Sequence, residues 1–150
     1  MPTEPSEPAD PPEQRVANLP GLSVLDASAL LALLFQEPGA AAVADFIAQG
    51  ATVSTLNLSE VAAVLIRNER DVEGILHAVT AQLAVEAFTT ADAFAAAALW
   101  PPTRATGLSL GDRACLALAQ RLGVPAVTAD RSWATVNVGI RIHQVRPSRD

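Results

Sequence analysis

The sequence predicts an α/β protein, with a central parallel sheet of four to five strands between two layers of helices. Short apolar runs of strand length alternate with longer segments of helical character, an order that gives parallel strands joined by crossover helices. Apolar strands that alternate with helices imply a sheet covered on both faces. Half of the 150 residues are apolar, enough for one domain with a substantial core and too few for two ordinary ones.

The elements follow in order. Residues 1–20, MPTEPSEPADPPEQRVANLP, are rich in Pro and Glu and poor in large apolar side chains. They predict a flexible tail that cannot offset its ordering entropy by burial. The domain then runs over 21–147, with 148–150 as a short C-terminal tail. LSVLD (22–26) is the first strand, and ASALLALLFQEPG a buried helix halted near Pro38 and Gly39. AAAVADFIAQG (40–50) is a second helix closed by Gly50, and ATVSTL (51–56) the second strand. NLSEVAAVLIRNER (57–70) is an amphipathic helix with Asn57 as its N-cap. DVEGILHAVTAQL (71–83) is helical despite Gly74, and VEAFTT (85–90) is a weak strand. ADAFAAAALW (91–100) is a helix stopped by Pro101 and Pro102. Ser109 caps a helix over 108–123 that Gly123 ends. VPAVTAD (124–130) is the fourth strand, RSWATV (131–136) a turn of helix, and IRIHQV (140–145) the last strand.

Net charge is −6, and all ten cations are Arg. That balance argues against a simple nucleic-acid binder, which is usually basic. The charge is uneven, however. Residues 1–20 hold four acids and one Arg, a net of −3, leaving twelve acids and nine Arg, also −3, for the rest. If a metal neutralised four of those acids, the remainder would be +1. A phosphate-bearing substrate therefore stays open. The lone Cys115 cannot form an internal disulfide, which fits a reducing cytoplasm. No apolar run approaches the ~20 residues of a membrane span, and no secretory leader is visible at the N-terminus.

Four acids fall at one end of the predicted sheet. Asp26 closes the first strand and Asp130 the fourth, while Glu60 and Asp112 sit in the first turns of two helices. In such sheets ligands bind beyond the carboxyl ends of the strands. Each acid alone has a plainer reading: Asp26 as a helix N-cap, Glu60 and Asp112 as capping-box partners of Asn57 and Ser109, Asp130 as a turn residue. Capping does not say why one rim should collect four acids and no Lys. Like charges brought together destabilise one another unless a cation resides among them. Oxygen ligands without His or Cys select Mg²⁺ or Mn²⁺ over Zn²⁺, and carboxylates holding such ions suit phosphodiester hydrolysis. His77 and His143 read as surface or structural residues, Cys115 and Trp133 as core packing, and Asp92 as a helix cap or a rim residue.

The segments LDASALLALLFQEPG, NLSEVAAVLIR and LSLGDRACLALAQRLGVPAVTADRSWA, in that order, resemble the PIN-domain ribonucleases, specifically VapC-like toxins of bacterial type II toxin–antitoxin pairs. The resemblance covers residues 22–146 and implies a PIN-like three-layer α/β/α fold. It matches the family's four metal-site acids to Asp26, Glu60, Asp112 and Asp130, as catalytic residues and ligands of Mg²⁺, for which Mn²⁺ substitutes. Ser28 and Thr128 match hydroxyl residues beside the first and last acid. With Arg113 and Arg131, each next to a ligand acid, they are the candidates for substrate contacts; for both Arg a solvated surface role competes equally. Gly111 stands where the family carries Ala or a similar small residue, a mild departure that weakens the helix start without touching the ligands. The resemblance further implies cleavage of RNA, transfer or ribosomal RNA among the family's targets, a block of translation, a silencing antitoxin and a homodimer.

Rival α/β enzymes fit less well. A response-regulator receiver needs a Lys that this chain lacks, and a haloacid-dehalogenase-type phosphatase needs Asp where Ser28 stands. The stronger competitor is a non-catalytic PIN-like protein-binding module.

Overall fold

A computed structural model describes residues 22–146; the tails expected over 1–20 and 148–150 lie outside them. Five strands, β1 (Ser23–Leu25), β2 (Ala51–Ser54), β3 (Ala84–Glu86), β4 (Ala126–Thr128) and β5 (Ile142–Gln144), form one sheet in the order β3-β2-β1-β4-β5. Every pairing is parallel. The flanking helices are α1 (Ala27–Leu34), α2 (Ala40–Gln49), α3 (Thr55–Arg67), α4 (Val72–Thr80), α5 (Thr90–Ala98), α6 (Trp100–Thr103) and α7 (Leu110–Leu122). Among the described residues no helix is long and apolar enough to cross a membrane.

The sheet divides the core into two layers because successive strand side chains point to opposite faces. Val24 of β1 and Ala126 of β4 face one layer, with Ala96, Cys115, Leu116 and Trp133. Leu25 and Val127, the next residues along, face the other, with Leu30, Val53, Val61 and Leu65. Burying a side chain the size of Leu30 or Leu65 stabilises the fold by roughly 2 kcal/mol. The consequence for function is rigidity where it matters. β1 and β4 are neighbours, buried on both faces, and their ends fix the positions of Asp26 and Asp130.

Several boundaries differ from the sequence expectation. Ser54, not Asn57, caps the third helix: its side chain accepts the Leu56 N–H, and the helix starts at Thr55. Asn57 is therefore inside the first turn, buried, and free to make tertiary contacts. The third strand lies over Ala84–Glu86, so its expected continuation to residue 90 is instead the approach to Thr89, the cap of α5. Pro101 and Pro102 do not end α5, which stops at Ala98; they occupy the first turn of α6, where a missing N–H is harmless. Ser109 and Gly123 bound α7 as expected, and Gly123 adopts the left-handed conformation that closes helices.

Asp92 is a capping-box partner of Thr89 and also an ion-pair partner of Arg121 on α7, through bonds of 3.0 and 3.2 Å. Burial alone would raise its carboxyl, but Arg121 and Thr89 outweigh that and hold it below the ordinary range. Its contribution is present above the unfolded carboxylate pKa and lost as pH falls through the depressed folded value. Arg121→Ala, which leaves a buried carboxylate short of donors, is expected to lower stability by about 1–2 kcal/mol in urea unfolding at pH 7. The cost is below that of a fully buried pair because the Arg121 side chain is 36% exposed.

Candidate active site

The strand order reverses at β1: β2 and β3 extend to one side, β4 and β5 to the other. A crevice at such a switch point is where α/β sheets bind ligands. Asp26 follows β1 directly and Asp130 lies just beyond β4. Glu60 sits on α3, which starts straight after β2, and Asp112 in the first turn of α7.

Asp26 is 1% exposed. Its carboxylate accepts the Ala29 N–H at 2.8 Å, the Ser28 hydroxyl at 2.7 Å and the Thr128 hydroxyl at 2.5 Å. Burial nevertheless raises its pKa to about 6, against the pull of those donors, and the Asp112 charge adds to the rise. Glu60 is raised by burial, opposed by a hydrogen bond from Asn57, and raised again by Asp112. Asp112 is raised by burial, opposed by the Ser109 N–H and hydroxyl, and raised by Asp130. The four acids thus form one electrostatic cluster with Asp112 at its hub.

The carboxylates are at the same time turned back onto their own chain. Asp112 Oδ2 accepts the Ser109 N–H at 2.9 Å in a capping box, and Asp130 Oδ1 accepts the Ser132 N–H at 2.9 Å. Capping and clustering are therefore not alternatives for the three aspartates; both are present. Glu60 is no capping partner, since its helix begins earlier, at Thr55. Among the described residues no group of three or more His, Cys, Asp and Glu side chains is arranged to hold a metal ion as it stands. The chemistry of the donor set fits a hard divalent cation all the same, because every candidate donor on this rim is an oxygen.

The remaining candidates are placed as follows. The Ser28 hydroxyl donates to Asp26 and accepts the Ala129 N–H at 2.9 Å, and Thr128 Oγ1 accepts the Asp130 N–H at 3.0 Å. Both hydroxyls therefore brace the first and last acids against each other across β1 and β4. Arg113 turns a guanidinium nitrogen onto the Ala96 carbonyl at 2.9 Å, tying α7 to α5. Arg131 lines a cavity of about 530 Å³ together with Ser28, Ala129, Asp130 and Arg146. Cys115 is fully buried, and burial, followed by the charges of Asp26, Asp112 and Glu60, pushes its thiol well up. It is a core residue. Trp133 is also core, 1% exposed.

Two neighbours of the acids were not legible as such. Asn57 donates to Glu60 Oε1 at 2.8 Å and to the Gly111 carbonyl at 2.9 Å. Its three-residue spacing from Glu60 was the available signal, but that spacing reads equally as a cap. Gly111 corrects the expectation that its departure from the family leaves the ligands untouched. A Cβ there would lie 2.0 Å from Glu60 Oε1.

The profile of the PIN domain family matches residues 23–138 of the sequence. No curated protein matches it. Among solved structures, the fold is similar to that of a toxin–antitoxin complex from Klebsiella pneumoniae, with TM-score 0.61, 18% identity, and 76% of this chain and 92% of that one covered. It is similar to a VapBC complex from Rickettsia felis bound to a promoter DNA fragment, with TM-score 0.64, 13% identity, and 81% and 97% covered. It is also similar to a sarcin-ricin loop cleaving VapC toxin from Mycobacterium tuberculosis, with TM-score 0.64, 19% identity, and 79% and 98% covered. At these identities the likeness is one of fold.

Proposed function

Because this chain belongs to the PIN domain family, we propose that it is a Mg²⁺-dependent endoribonuclease, a VapC-like toxin that blocks translation and that a cognate antitoxin silences. The observation that carries this reading is the cluster on the rim: Asp26 after β1, Glu60 on α3, Asp112 on α7 and Asp130 after β4, oxygen donors only, with burial first and the neighbouring charge second raising Asp26, Glu60 and Asp112. Like charges gathered at the edge of a sheet where ligands bind are stabilised by a cation held among them.

Asp26 and Asp112 would be the main ligands, Asp130 a further one directly or through water, and Glu60 a ligand of a second ion or the group that orients the attacking water. The chemistry that Mg²⁺, or Mn²⁺ in its place, would supply there is a lowered pKa for a bound water and stabilisation of the departing oxyanion. The chain's own contribution is orientation. Ser28 and Thr128 fix the Asp26 carboxylate, and the rigid β1–β4 pair sets its separation from Asp130. Arg131, in the cavity beside Asp130 and Ser28, is the candidate phosphate contact. Arg113, with a nitrogen on the Ala96 carbonyl, acts by holding α7 in place.

Between α1 and α3 runs a groove of about 510 Å³, lined by Ala27, Leu31, Glu60, Val64, Ile66 and Arg67 among others. Ile66 is 63% exposed there. An apolar helical segment of an antitoxin suits such a groove, and an Arg reaching past Glu60 would stand in for the cation's charge. In this reading the protein works as a homodimer in the cytoplasm. The Mycobacterium tuberculosis toxin named above is described as cleaving the sarcin-ricin loop, which makes ribosomal RNA the first substrate to try, with transfer RNA next.

The expected result is cleavage of structured RNA in Mg²⁺ that stops on adding EDTA; cleavage persisting in EDTA would overturn the metal mechanism. One observation favours the alternative of a binding module, namely that the aspartates already serve as caps. Mn²⁺ titration followed by thermal unfolding separates the two. A nuclease gains stability, and the Asp26→Asn, Asp112→Asn double variant does not; no gain in the unaltered protein favours the module.

A further inference from the structure

Asn57 is 1% exposed, and both hydrogens of its Nδ2 are committed, one to Glu60 Oε1 and one to the Gly111 carbonyl. The opposite amide orientation would set Oδ1 against two acceptors, so the environment dictates which way the group faces. Oδ1 itself is buried with no partner. A core position filled for packing alone would not carry an amide with an empty acceptor. Something other than packing accounts for asparagine here.

Gly111 supplies the second half. It is not among the positive-φ residues, so its backbone asks for no glycine. Alanine is the better helix former at such a position. What alanine lacks is room: its Cβ would lie 2.0, 2.4 and 2.5 Å from Oε1, Cδ and Oε2 of Glu60. The missing methyl is the space the carboxylate occupies. One residue draws the carboxylate in, and the other leaves the hollow that receives it.

We propose that Asn57 and Gly111 form a seat that positions the Glu60 carboxylate against the first turn of α7, beside Asp112. This rests on the nuclease reading, which gives Glu60 its task. Both are positioning residues that act through Glu60. Without them the glutamate would keep its charge and its helix but lose its fixed place relative to Asp112, and with it the preorganisation that metal binding draws on.

The test uses Asn57→Ala and Gly111→Ala, each in the unaltered protein and in a Glu60→Ala background. Calorimetric Mn²⁺ affinity, kcat and KM for RNA, and metal-free thermal midpoints are read. Each single variant is expected to weaken Mn²⁺ binding and lower kcat by about 10- to 100-fold, with KM little changed. Neither should cause further loss once Glu60 is absent. Gly111→Ala should raise the thermal midpoint when Glu60 is Ala, where only the better helix former remains, and raise it less or not at all when Glu60 is present, because the carboxylate must swing out of its hollow. Unchanged Mn²⁺ affinity in both single variants, or equal losses in the two backgrounds, overturns the proposal. If the unaltered protein neither binds Mn²⁺ nor cuts RNA, the nuclease reading fails separately. The seat is then still decided by the Gly111→Ala midpoints: a smaller gain with Glu60 present than with Glu60 absent supports it, and equal shifts in the two backgrounds overturn it.

Discussion

Asp26→Asn is expected to reduce kcat/KM for RNA cleavage on the order of 10³-fold, while the metal-free protein stays folded and at least as stable. The two halves follow from different properties of one side chain. Asn keeps the size of Asp, and its Oδ1 can still accept the Ala29 N–H that Asp26 Oδ1 now accepts at 2.8 Å, so the ~1 kcal/mol of a helix cap is retained. Its amide nitrogen can donate to the Ser28 and Thr128 hydroxyls, which rotate to accept. What vanishes is the negative charge in a site nearly closed to water. A metal-held water and leaving oxyanion draw several kcal/mol of stabilisation from such a site, and each ~1.4 kcal/mol is tenfold in rate. Asp112→Asn should behave alike, since the amide oxygen can keep the Ser109 N–H bond. Activity of either variant within tenfold of the unaltered protein, measured in saturating Mg²⁺, would remove that residue from the ligand set.

The same pair of properties explains what the sequence could and could not convey. The two-faced burial of β1, β2 and β4 makes SVL, ATVS and AVT apolar or small throughout, so the parallel sheet was readable without any knowledge of partners. The rim position of Asp26 and Asp130 followed from strand ends alone. Capping and metal binding could not be told apart, because both want a carboxylate at the start of a helix. The structure shows the first and brings the Asp112 charge close enough to raise Asp26 and Glu60 beyond what burial does. Ser54 and Asn57 are both good N-caps, and the β-branched Thr52, Val53 and Thr55 make the strand read through to Leu56. The Ser54 bond to the Leu56 N–H decides for Ser54, and Asn57 turns instead to Gly111 on a helix remote in sequence. Gly111 failed for a related reason. Its requirement is for space, set by a side chain on another helix, and no local pattern carries that. The Asp92–Arg121 pair was missed likewise, as two residues whose charges meet only once α5 packs on α7.

In EDTA the protein is expected to be more resistant to urea at pH 5.5 than at pH 7.5, the reverse of what a salt-bridged aspartate would give. Burial raises the folded pKa of Asp26 to about 6 from an ordinary value of 3.8. Between those values the folded state holds a proton that the unfolded state releases, so stability falls as pH rises. The favourable contribution is complete below about pH 4 and lost as pH climbs through about 6, a span worth about 3 kcal/mol at ~1.4 kcal/mol per pKa unit. Glu60 and Asp112 are raised too and act in the same direction, whereas Asp92 is lowered and acts oppositely, at more acid pH. Asp26→Asn should remove most of the slope and exceed the unaltered protein at pH 7.5. Saturating Mn²⁺ should also flatten it, because a cation favours the ionised carboxylates that burial disfavours. A urea midpoint constant from pH 5 to 7.5 without metal would mean that Asp26 carries its charge at no expense, and burial would then not be what strains this rim.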